Sequence, residues 1–413
     1  MAKQTRRVVV TGLSLLTPLG AGVENVWGRL CAGQSGIGDL SKLDRSRYRR
    51  TRAAEVREFD SVESRDESLQ PHGQAVAYAV AAARSALHDA RLGGGAQRSR
   101  MGVAIGTTMG ASDIVERIID AHGLRAEEAP GEAASAQLEY FANGHLSGEV
   151  ARRFELGGPV LTFPTACAAG NYALATGALL ISAGRADMML AGGADPFTRT
   201  CYTIFYRLGA STSGQCRPFS ADREGMVVGE GAAMLVLEEL EHAKARGATI
   251  YAELTGHGLA CDAHHRTGPH PEGRGAIQAM HAALARAQLQ PSDISYISAH
   301  GTGTPANDWS EARAMIGVFG EQLSRVPVSS IKSMIGHCMG AASAIEAAVC
   351  CLAVRDGVAP PTATSDVSDP KFGLPLDIIP RQRRQLAVEH AMSNAFAFGG
   401  CVSSLILSKY REA

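Results

Sequence analysis

The stretch Leu161–Gly170, LTFPTACAAG, decides how the rest of the sequence is interpreted. Its apolar run ends at Pro164, and a small-residue segment centred on Cys167 follows. The alanine-rich apolar pattern from Asn171 to Ser182 predicts a helix directly behind it. A cysteine at such a strand-to-helix turn lies near free N–H groups and the positive end of a helix dipole, which favour the nucleophilic thiolate. The alternative, more common for a lone cysteine, is a buried structural residue.

Composition narrows the class of protein. The chain has 413 residues, 45% of them hydrophobic, enough for two or three domains or one large duplicated one. A formal net charge of −1 argues against bulk nucleic-acid binding. No segment is apolar over the length of a membrane span, and the N-terminal MAKQTRRVVVTG lacks the apolar region of a secretory signal, so we expect a cytoplasmic protein. Nine cysteines, an odd number without a CxxC pair, argue against a disulfide framework and a zinc site.

Strand and helix patterns alternate along the whole chain, which is typical of an α/β protein. The clearest predicted strands are Met101–Gly106, Met188–Ala191, Ala232–Leu237, Ile294–Ser298, Val326–Val328 and Val402–Leu407. The clearest predicted helices are Glu24–Ala32, Gly73–Leu92, Ala276–Ala287, Trp309–Val318 and Ala341–Val354. Six arginines between Leu43 and Arg57 indicate either a landing site for an acidic partner or, more commonly, a solvated face.

A faint internal repeat predicts two halves, residues 1–248 with the cysteine and residues 249–413 with the histidines and lysine. Cys167 and His337 each lead a small-residue helix, and each has a glycine three places on, Gly170 and Gly340. Two similar α/β halves would place matching strand ends face to face. We therefore expect Cys167 and His337 to meet near a pseudo-two-fold axis.

Further chemistry-bearing residues follow predicted strands of the second half. His300 stands in AHGTGT, and Lys332 and His337 stand in KSMIGHCMG. Phe398 precedes two glycines at a bend before the last strand, where backbone N–H groups can turn inward. The sequence places two histidines, a lysine and a turn cysteine at predicted strand ends. This combination favours a functional site over a chance arrangement. A metal site is the weaker hypothesis, because no carboxylate or closely spaced ligand accompanies the histidines in sequence.

Six motifs carry a resemblance that covers nearly the whole chain. They are RVVVTGLSLLTPLG, TACAAG, CRPFSADREGMVVGEGA, AHGTGTPAND, SIKSMIGHCMGAA and NAFAFGG. In this order and spacing the chain resembles the elongating beta-ketoacyl-[acyl-carrier-protein] synthases of the thiolase superfamily. The resemblance implies a thiolase-like α/β fold of two pseudo-repeated halves in five layers (αβαβα). A Cys-His-His set is similar to that of elongating enzymes, whereas initiating relatives use Cys-His-Asn.

The resemblance also implies roles for the reacting groups. Cys167 would accept an acyl chain from the phosphopantetheine of an acyl carrier protein. His300 and His337 would hold the malonyl thioester and assist loss of carbon dioxide. Backbone N–H groups of Cys167 and Phe398 would form the oxyanion hole, where one donor is typically worth about 3 kcal/mol. Lys332 would order the histidines, and no metal or redox cofactor would be needed.

Residues around these groups are assigned by the same resemblance. Thr302 and Thr304 would bind the pantetheine amides, with Thr267 as a further substrate contact. Met109 would line the acyl pocket, and Phe398 would gate access to Cys167. Supporting and docking roles fall to Glu346, behind the histidines, and to Arg207 and Arg125, which would meet an acidic carrier protein.

Two departures from the common pattern suggest a specialised pathway. Cys401 and Val402 stand where Thr and Asn usually follow the glycines, and ACAAGNYA and Phe205-Tyr206 are more similar to ketosynthases of type II polyketide or polyene synthesis. Alternatives are a non-catalytic partner similar to a chain length factor, and a coenzyme A-dependent thiolase-type acyltransferase, whose second cysteine Cys401 superficially matches. The resemblance implies a homodimer or a heterodimer with a homologous subunit, and leaves chain length and starter unit open.

Overall fold

Seventeen strands and twelve α-helices occur in the computed structural model, which describes residues 6–57, 59, 65–94, 98–122 and 132–412. The strands are β1 Val8–Leu13, β2 Leu16–Thr17, β3 Gly20–Ala21, β4 Gly38–Asp39, β5 Arg52–Ala53, β6 Met101–Gly106, β7 Val160–Phe163, β8 Met188–Asp195, β9 Gly231–Glu239, β10 Ala252–Cys261, β11 Tyr296–Ser298, β12 Pro327–Ser329, β13 Val358–Ala359, β14 Asp377–Ile378, β15 Arg384–Gln385, β16 His390–Phe396 and β17 Cys401–Ser408. The helices are α1 Val23–Cys31, α2 Gln74–Asp89, α3 Ser112–His122, α4 Glu132–Leu138, α5 Asn143–Phe154, α6 Ala169–Ser182, α7 Arg199–Arg207, α8 Leu240–Ala245, α9 Arg274–Ala287, α10 Pro305–Phe319, α11 Lys332–Ile335 and α12 Ala342–Asp356.

The main sheet contains the same strand arrangement twice. In the first half the order is β7-β6-β8-β9-β1, and in the second it is β12-β11-β16-β17-β10 with β14 beyond β12. The first three strands of each half are parallel, and the last two are antiparallel to their neighbours. A short antiparallel contact between β1 and β10 joins the halves. This duplication confirms the predicted thiolase-like fold.

Three hydrophobic clusters fill the spaces between five layers. The outer face of the first half packs against α2 and α5, and the outer face of the second packs against α9 and α10. Between the two halves of the main sheet lie α6 and α12, which contact each other and strands of both halves. The predicted αβαβα layering is therefore present.

The central helices can occupy this position because they carry small or apolar side chains on nearly every face. All of α12 from Ala342 to Val354 is buried, as expected for a helix enclosed on all sides. The helices come close together at Gly170, where an added Cβ would lie 2.6 Å from the backbone nitrogen of Ala344. Glycine at this point lets the two helix N-termini, and the residues before them, come together.

Most predicted elements are present, and two differences matter. Helix α7 was not predicted, because RTCYTIFYR is rich in β-branched and aromatic residues. The repeat is also shifted by three residues: Ala166 and Met339, with φ of 50° and 51°, open matching turns before α6 and α12. The structural counterpart of Cys167 is therefore Gly340, and His337 lies just before that turn. 

The arginine-rich segment is partly neutralised. Arg45 and Arg52 pair with Asp39, and Arg47 pairs with Asp44. These exposed pairs fit the expectation of a solvated face. Among the helices that the structure describes, none has the combination of length and apolar character that crossing a membrane requires.

Candidate active site

The nucleophile turn is held in a conformation that non-glycine residues rarely adopt. Ala166, directly before Cys167, has φ 50° in the left-handed region, at a cost of about 1–2 kcal/mol. Cys167 lies in the short turn Ala166–Ala168 that leads into α6 and is 5% exposed. The turn points the cysteine toward the second half of the molecule.

Cys167, His300 and His337 converge although they are far apart in sequence. The Cys167 sulfur and one ring nitrogen of each histidine all lie within 4.8 Å of one another, and all three residues are buried. The two imidazole rings are 5.2 Å apart and nearly perpendicular, at 82°. His337 is anchored by its backbone: its N–H donates to Val227 at 2.7 Å and its carbonyl accepts from Gly229 at 2.9 Å.

A buried ion pair supports this group from behind. The ammonium of Lys332 donates to Glu346 and lies 3.3 Å from Nδ1 of His300. A lysine ammonium can only donate, so Nδ1 of His300 must accept and the proton of the neutral ring must sit on Nε2. Lys332 thus fixes the tautomer that offers an N–H donor on the other side of His300. Burial raises the pKa of Glu346 to about 7, opposed by Lys332.

The prediction that Cys167 is a thiolate is wrong for the resting protein. Burial raises the pKa of the Cys167 thiol from its ordinary value to about 12, although Lys332 opposes the rise. A rise from 9.0 to about 12 corresponds to about 4 kcal/mol, whereas a helix terminus contributes at most about 2 kcal/mol. The cost of desolvating the thiolate therefore exceeds its stabilisation by the helix dipole. Cys167 needs a base to remove its proton.

Both histidines are neutral at neutral pH. Burial lowers the pKa of His300 and of His337 well below the ordinary value, and the positive charge of Lys332 lowers both further. A neutral imidazole can accept a proton at one nitrogen and donate a hydrogen bond at the other. The site therefore holds a thiol with two neutral acid–base groups, and this combination suits nucleophilic catalysis.

The same three residues also offer a sulfur and two nitrogens to a metal ion. The Lys332 ammonium, 3.3 Å from His300, would repel a divalent cation. Separations of up to 4.8 Å would also have to shorten to bring the ligand atoms around one ion. The geometry favours acid–base chemistry over metal binding.

A cavity of about 320 Å³ leads to the three converging residues. Besides Cys167, His300 and His337, its lining residues are Phe205, Leu208, Ala210, Met226, Thr267, Pro269, Thr302, Thr304, Pro305, Ala306, Asn307, Phe396, Ala397 and Phe398. The hydroxyl groups of Thr302 and Thr304 are 2.9 Å apart. The structure thus brings Thr267, Thr302, Thr304 and Phe398 to one cavity with the candidate nucleophile.

Other predicted site residues lie elsewhere. Met109 does not line this cavity: its backbone N–H donates to Asp195 at 2.8 Å, and its side chain packs with Phe398 against an apolar cluster. Arg207 is exposed at the end of α7, next to Leu208 of the cavity wall. Arg125 lies outside the described residues.

Asp195 is a residue that the sequence analysis missed. Its buried carboxylate accepts from Thr107 Oγ1 and from the N–H groups of Thr108, Met109 and Gly340, all at 2.6–2.8 Å. It therefore ties the turn after β6 to the turn before α12. Burial raises the pKa of Asp195 to about 6 despite these four donors. An acid at the end of the apolar run MMLAGGAD was the available signal.

Glu311 was also missed. Its carboxylate, buried on α10, accepts the N–H groups of His300 at 2.8 Å and Gly301 at 2.7 Å. Burial raises the pKa of Glu311 to about 8. Because it holds the backbone of His300, Glu311 positions the imidazole without facing the cavity. The signal was a glutamate on a helix face that must be buried.

Comparisons with known proteins agree with this geometry. The sequence profile of the family "Beta-ketoacyl synthase, N-terminal domain" matches residues 5–243, and that of "Beta-ketoacyl synthase, C-terminal domain" matches residues 251–366. The chain is 38% identical to 3-oxoacyl-[acyl-carrier-protein] synthase 2 of Coxiella burnetii, with 98% of this chain and 99% of the relative covered. It is 37% identical to the protein of the same name from Synechocystis, with 99% of both covered.

Solved structures give the same result. "The ishigamide ketosynthase/chain length factor" superposes with a TM-score of 0.90 at 38% identity, covering 98% of this chain and all of the other. A ketosynthase bound to the hexaketide, in complex with its type II PKS acyl-carrier protein, superposes with a TM-score of 0.90 at 32% identity and the same coverage. The duplicated fold, the buried Cys-His-His group and both domain profiles establish that the chain belongs to the beta-ketoacyl synthase family.

Proposed function

We propose that the chain catalyses the decarboxylative Claisen condensation of an acyl group on Cys167 with a malonyl group on a carrier protein. The product is a beta-ketoacyl-carrier protein. The observation that carries this proposal is the convergence of one thiol and two neutral imidazoles, within 4.8 Å, at the end of a cavity. No other group of three such side chains occurs among the described residues.

Acyl transfer comes first. The Cys167 thiol passes its proton to a neighbouring neutral imidazole, and the sulfur attacks the thioester carbonyl of the acyl-carrier protein. Backbone N–H groups of Cys167 and Phe398 receive the negative charge of the tetrahedral intermediate. Its collapse expels the pantetheine thiolate, which takes up the proton, and leaves the acyl group on Cys167.

Condensation follows when malonyl-carrier protein enters. His300 and His337 donate N–H bonds to the malonyl thioester oxygen as the bond to the carboxylate breaks and carbon dioxide leaves. The electron pair becomes an enolate, which these donors stabilise. Its carbon attacks the Cys167 thioester, the C–S bond breaks, and the departing Cys167 thiolate takes up one proton from solvent to restore the thiol. Lys332 acts through His300, by holding Nδ1 as an acceptor, and Glu346 keeps the ammonium in place.

The carrier arm is the only accessory group that we propose. Phosphopantetheine on the carrier protein would enter through the cavity, where Thr302 and Thr304 offer paired hydroxyls and Thr267 lies at the exposed end. The Phe398 ring lies 5.5 Å from the Phe205 ring, tilted by 36°, and would gate the path to Cys167. An acyl pocket reaching Met109 would open only when Phe398 moves.

Docking and assembly are part of the same proposal. Arg207 is exposed beside the cavity wall, where it can meet an acidic carrier protein. Val160, 44% exposed on the edge strand β7, supports pairing with a second subunit, identical or homologous. We also propose that the functional halves divide at residues 248 and 249, between α8 and β10.

A specialised pathway is the finer proposal. The chain is 38% identical both to a curated 3-oxoacyl-[acyl-carrier-protein] synthase 2 and to the ishigamide ketosynthase/chain length factor, so identity alone does not separate the pathways. Cys401 and Val402, which replace the usual Thr and Asn, favour type II polyketide or polyene synthesis.

Two alternatives are less well supported. A coenzyme A-dependent thiolase-type enzyme would use a second cysteine near the first, but Cys401 is not among the cavity residues. A non-catalytic partner similar to a chain length factor would not need the intact group of Cys167, His300, His337 and Lys332.

The test separates the two half-reactions. Cys167→Gln should abolish condensation and keep malonyl decarboxylation, whereas His300→Ala should lose decarboxylation as well. Carbon dioxide release and beta-ketoacyl product are measured with the same malonyl-carrier protein. Cys261→Ser, outside the cavity, is the matched control and should retain both activities. If Cys167→Gln still condensed acyl and malonyl groups, the proposal would be refuted.

A further inference from the structure

Two cysteines outside the cavity face each other across neighbouring strands. Cys261 ends β10 and Cys401 begins β17, and they are direct partners in this antiparallel pair. One residue further, the N–H of Asp262 donates to the carbonyl of Gly400 at 2.8 Å. Because hydrogen-bonded and non-hydrogen-bonded positions alternate, Cys261 and Cys401 occupy a non-hydrogen-bonded position.

This position suits a disulfide. Cα atoms of such a pair are about 4.5 Å apart and their side chains lie on the same face. Disulfides form over Cα separations of about 4.4–6.8 Å. A bond between the two sulfurs therefore needs a change of side-chain rotamers rather than movement of the strands.

These two cysteines are also the ones that are accessible to solvent. Cys261 is exposed and Cys401 is half-buried, whereas the other seven cysteines are buried. Burial and the neighbouring Cys261 raise the pKa of Cys401. Cys261 is therefore the thiol that meets an oxidant first, and Cys401 is placed to resolve the product.

We propose that Cys261 and Cys401 are a reversible oxidation site that forms a cross-strand disulfide with a small-molecule disulfide such as glutathione disulfide. The Cys261 thiolate attacks one sulfur of the oxidant and releases one glutathione thiolate. The Cys401 thiolate then attacks the Cys261 sulfur and releases the second. Two protein thiols are oxidised, one glutathione disulfide is reduced, and the two thiol protons end on two glutathione molecules.

The bond would join two segments of the cavity wall. Cys401 follows the Phe398–Gly400 turn, and Cys261 precedes the loop that carries Thr267. The segments already touch: Gly399 N–H donates to the Arg266 carbonyl at 2.8 Å. Resting on the proposed function, we infer that the disulfide restricts the movement of Phe398 and slows acyl transfer to Cys167.

The first experiment maps the bond in the full-length protein. The reduced protein is equilibrated with glutathione buffers of increasing oxidation, free thiols are alkylated, and peptides are analysed by mass spectrometry. We expect a Cys261–Cys401 peptide that disappears with dithiothreitol, and a glutathione adduct in place of it in the Cys401→Ser variant. Alkylation of both cysteines at every ratio, or a bond to another cysteine, would overturn the site.

The second experiment measures acyl transfer to Cys167 from acyl-carrier protein. The oxidised protein should react severalfold more slowly and recover when reduced, while Cys261→Ser should react at one rate in all buffers. Equal rates for oxidised and reduced protein would overturn the effect on Phe398. Absence of acyl transfer in both forms would instead refute the proposed function, and the peptide map would still decide the disulfide.

Discussion

The contact between α6 and α12 at Gly170 allows a sharp test of how the site is assembled. Helix propensity alone predicts that Gly170→Ala stabilises the protein by up to about 1 kcal/mol. The added Cβ, however, would lie 2.6 Å from the Ala344 nitrogen and 2.8 Å from its Cβ. Both helices are enclosed in the core, so the methyl group cannot move into solvent. We therefore expect the cost of overpacking to exceed the gain in helix propensity, so that Gly170→Ala destabilises the protein by about 1–3 kcal/mol.

The same change should disturb catalysis. An ordinary contact of 3.4 Å requires the helices to separate by about 0.8 Å at this point, and Cys167 lies at the start of one helix while His337 precedes the other. A misplacement of about 1 Å can cost about 100-fold in rate, so acyl transfer to Cys167 should fall by one to two orders of magnitude.

Urea denaturation and intact-mass kinetics of acyl transfer measure both effects. The matched control is Gly28→Ala in α1, where an added Cβ meets nothing within 4 Å, and which should stabilise by about 0.5–1 kcal/mol with no change in rate. If Gly170→Ala were as stable and as active as Gly28→Ala, the close helix contact would not position the site and the reasoning would be wrong.

Three further predictions follow from the charges around the site. Lys332→Met leaves Glu346 buried without its partner and should destabilise the protein by about 3–5 kcal/mol at pH 8. Because the pKa of Glu346 in the folded variant lies above its unfolded value, this loss of stability should shrink as pH falls. A deficit in urea stability that does not change with pH would contradict this. Malonyl decarboxylation should stay constant from pH 7.5 to 6.5 and decline only below, because the pKa of both His300 and His337 is lowered; a rate that halves near pH 6.5 would show an ordinary histidine. Arg207→Glu should raise KM for the carrier protein, whereas Arg185→Glu, in the turn after the C-terminal end of α6, should not. Equal KM values for the two variants would remove Arg207 from the docking surface.

Local pattern was sufficient to predict much of the framework. Met101–Gly106 occupies the predicted bounds of its strand, because β-branched and small apolar residues flanked by turn residues admit few other structures. Cys167, His300, Lys332 and His337 were predicted together because each follows a predicted strand, and the ends of parallel strands in a duplicated fold meet. The structure brings these four residues together.

Features that depend on depth or on long-range register were not predictable. The pKa of Cys167 depends on how completely the turn is desolvated, and no local pattern gives that quantity. Asp195 holds Gly340, 145 residues away, and Cys261 meets Cys401 only because β10 and β17 pair in one particular register. The Asp195 network also fixes the backbone of Met109, 86 residues from Asp195.

Intact-mass analysis of Cys167 against a panel of acyl-carrier proteins tests the central claim most directly. The chain should gain the mass of one acyl group, mapped to Cys167, with a preferred acyl chain and no gain in Cys167→Ala. Subsequent malonyl-carrier protein should remove the acyl group and release beta-ketoacyl product. A chain that stays unacylated with every carrier, or that is acylated on another residue, would contradict the account.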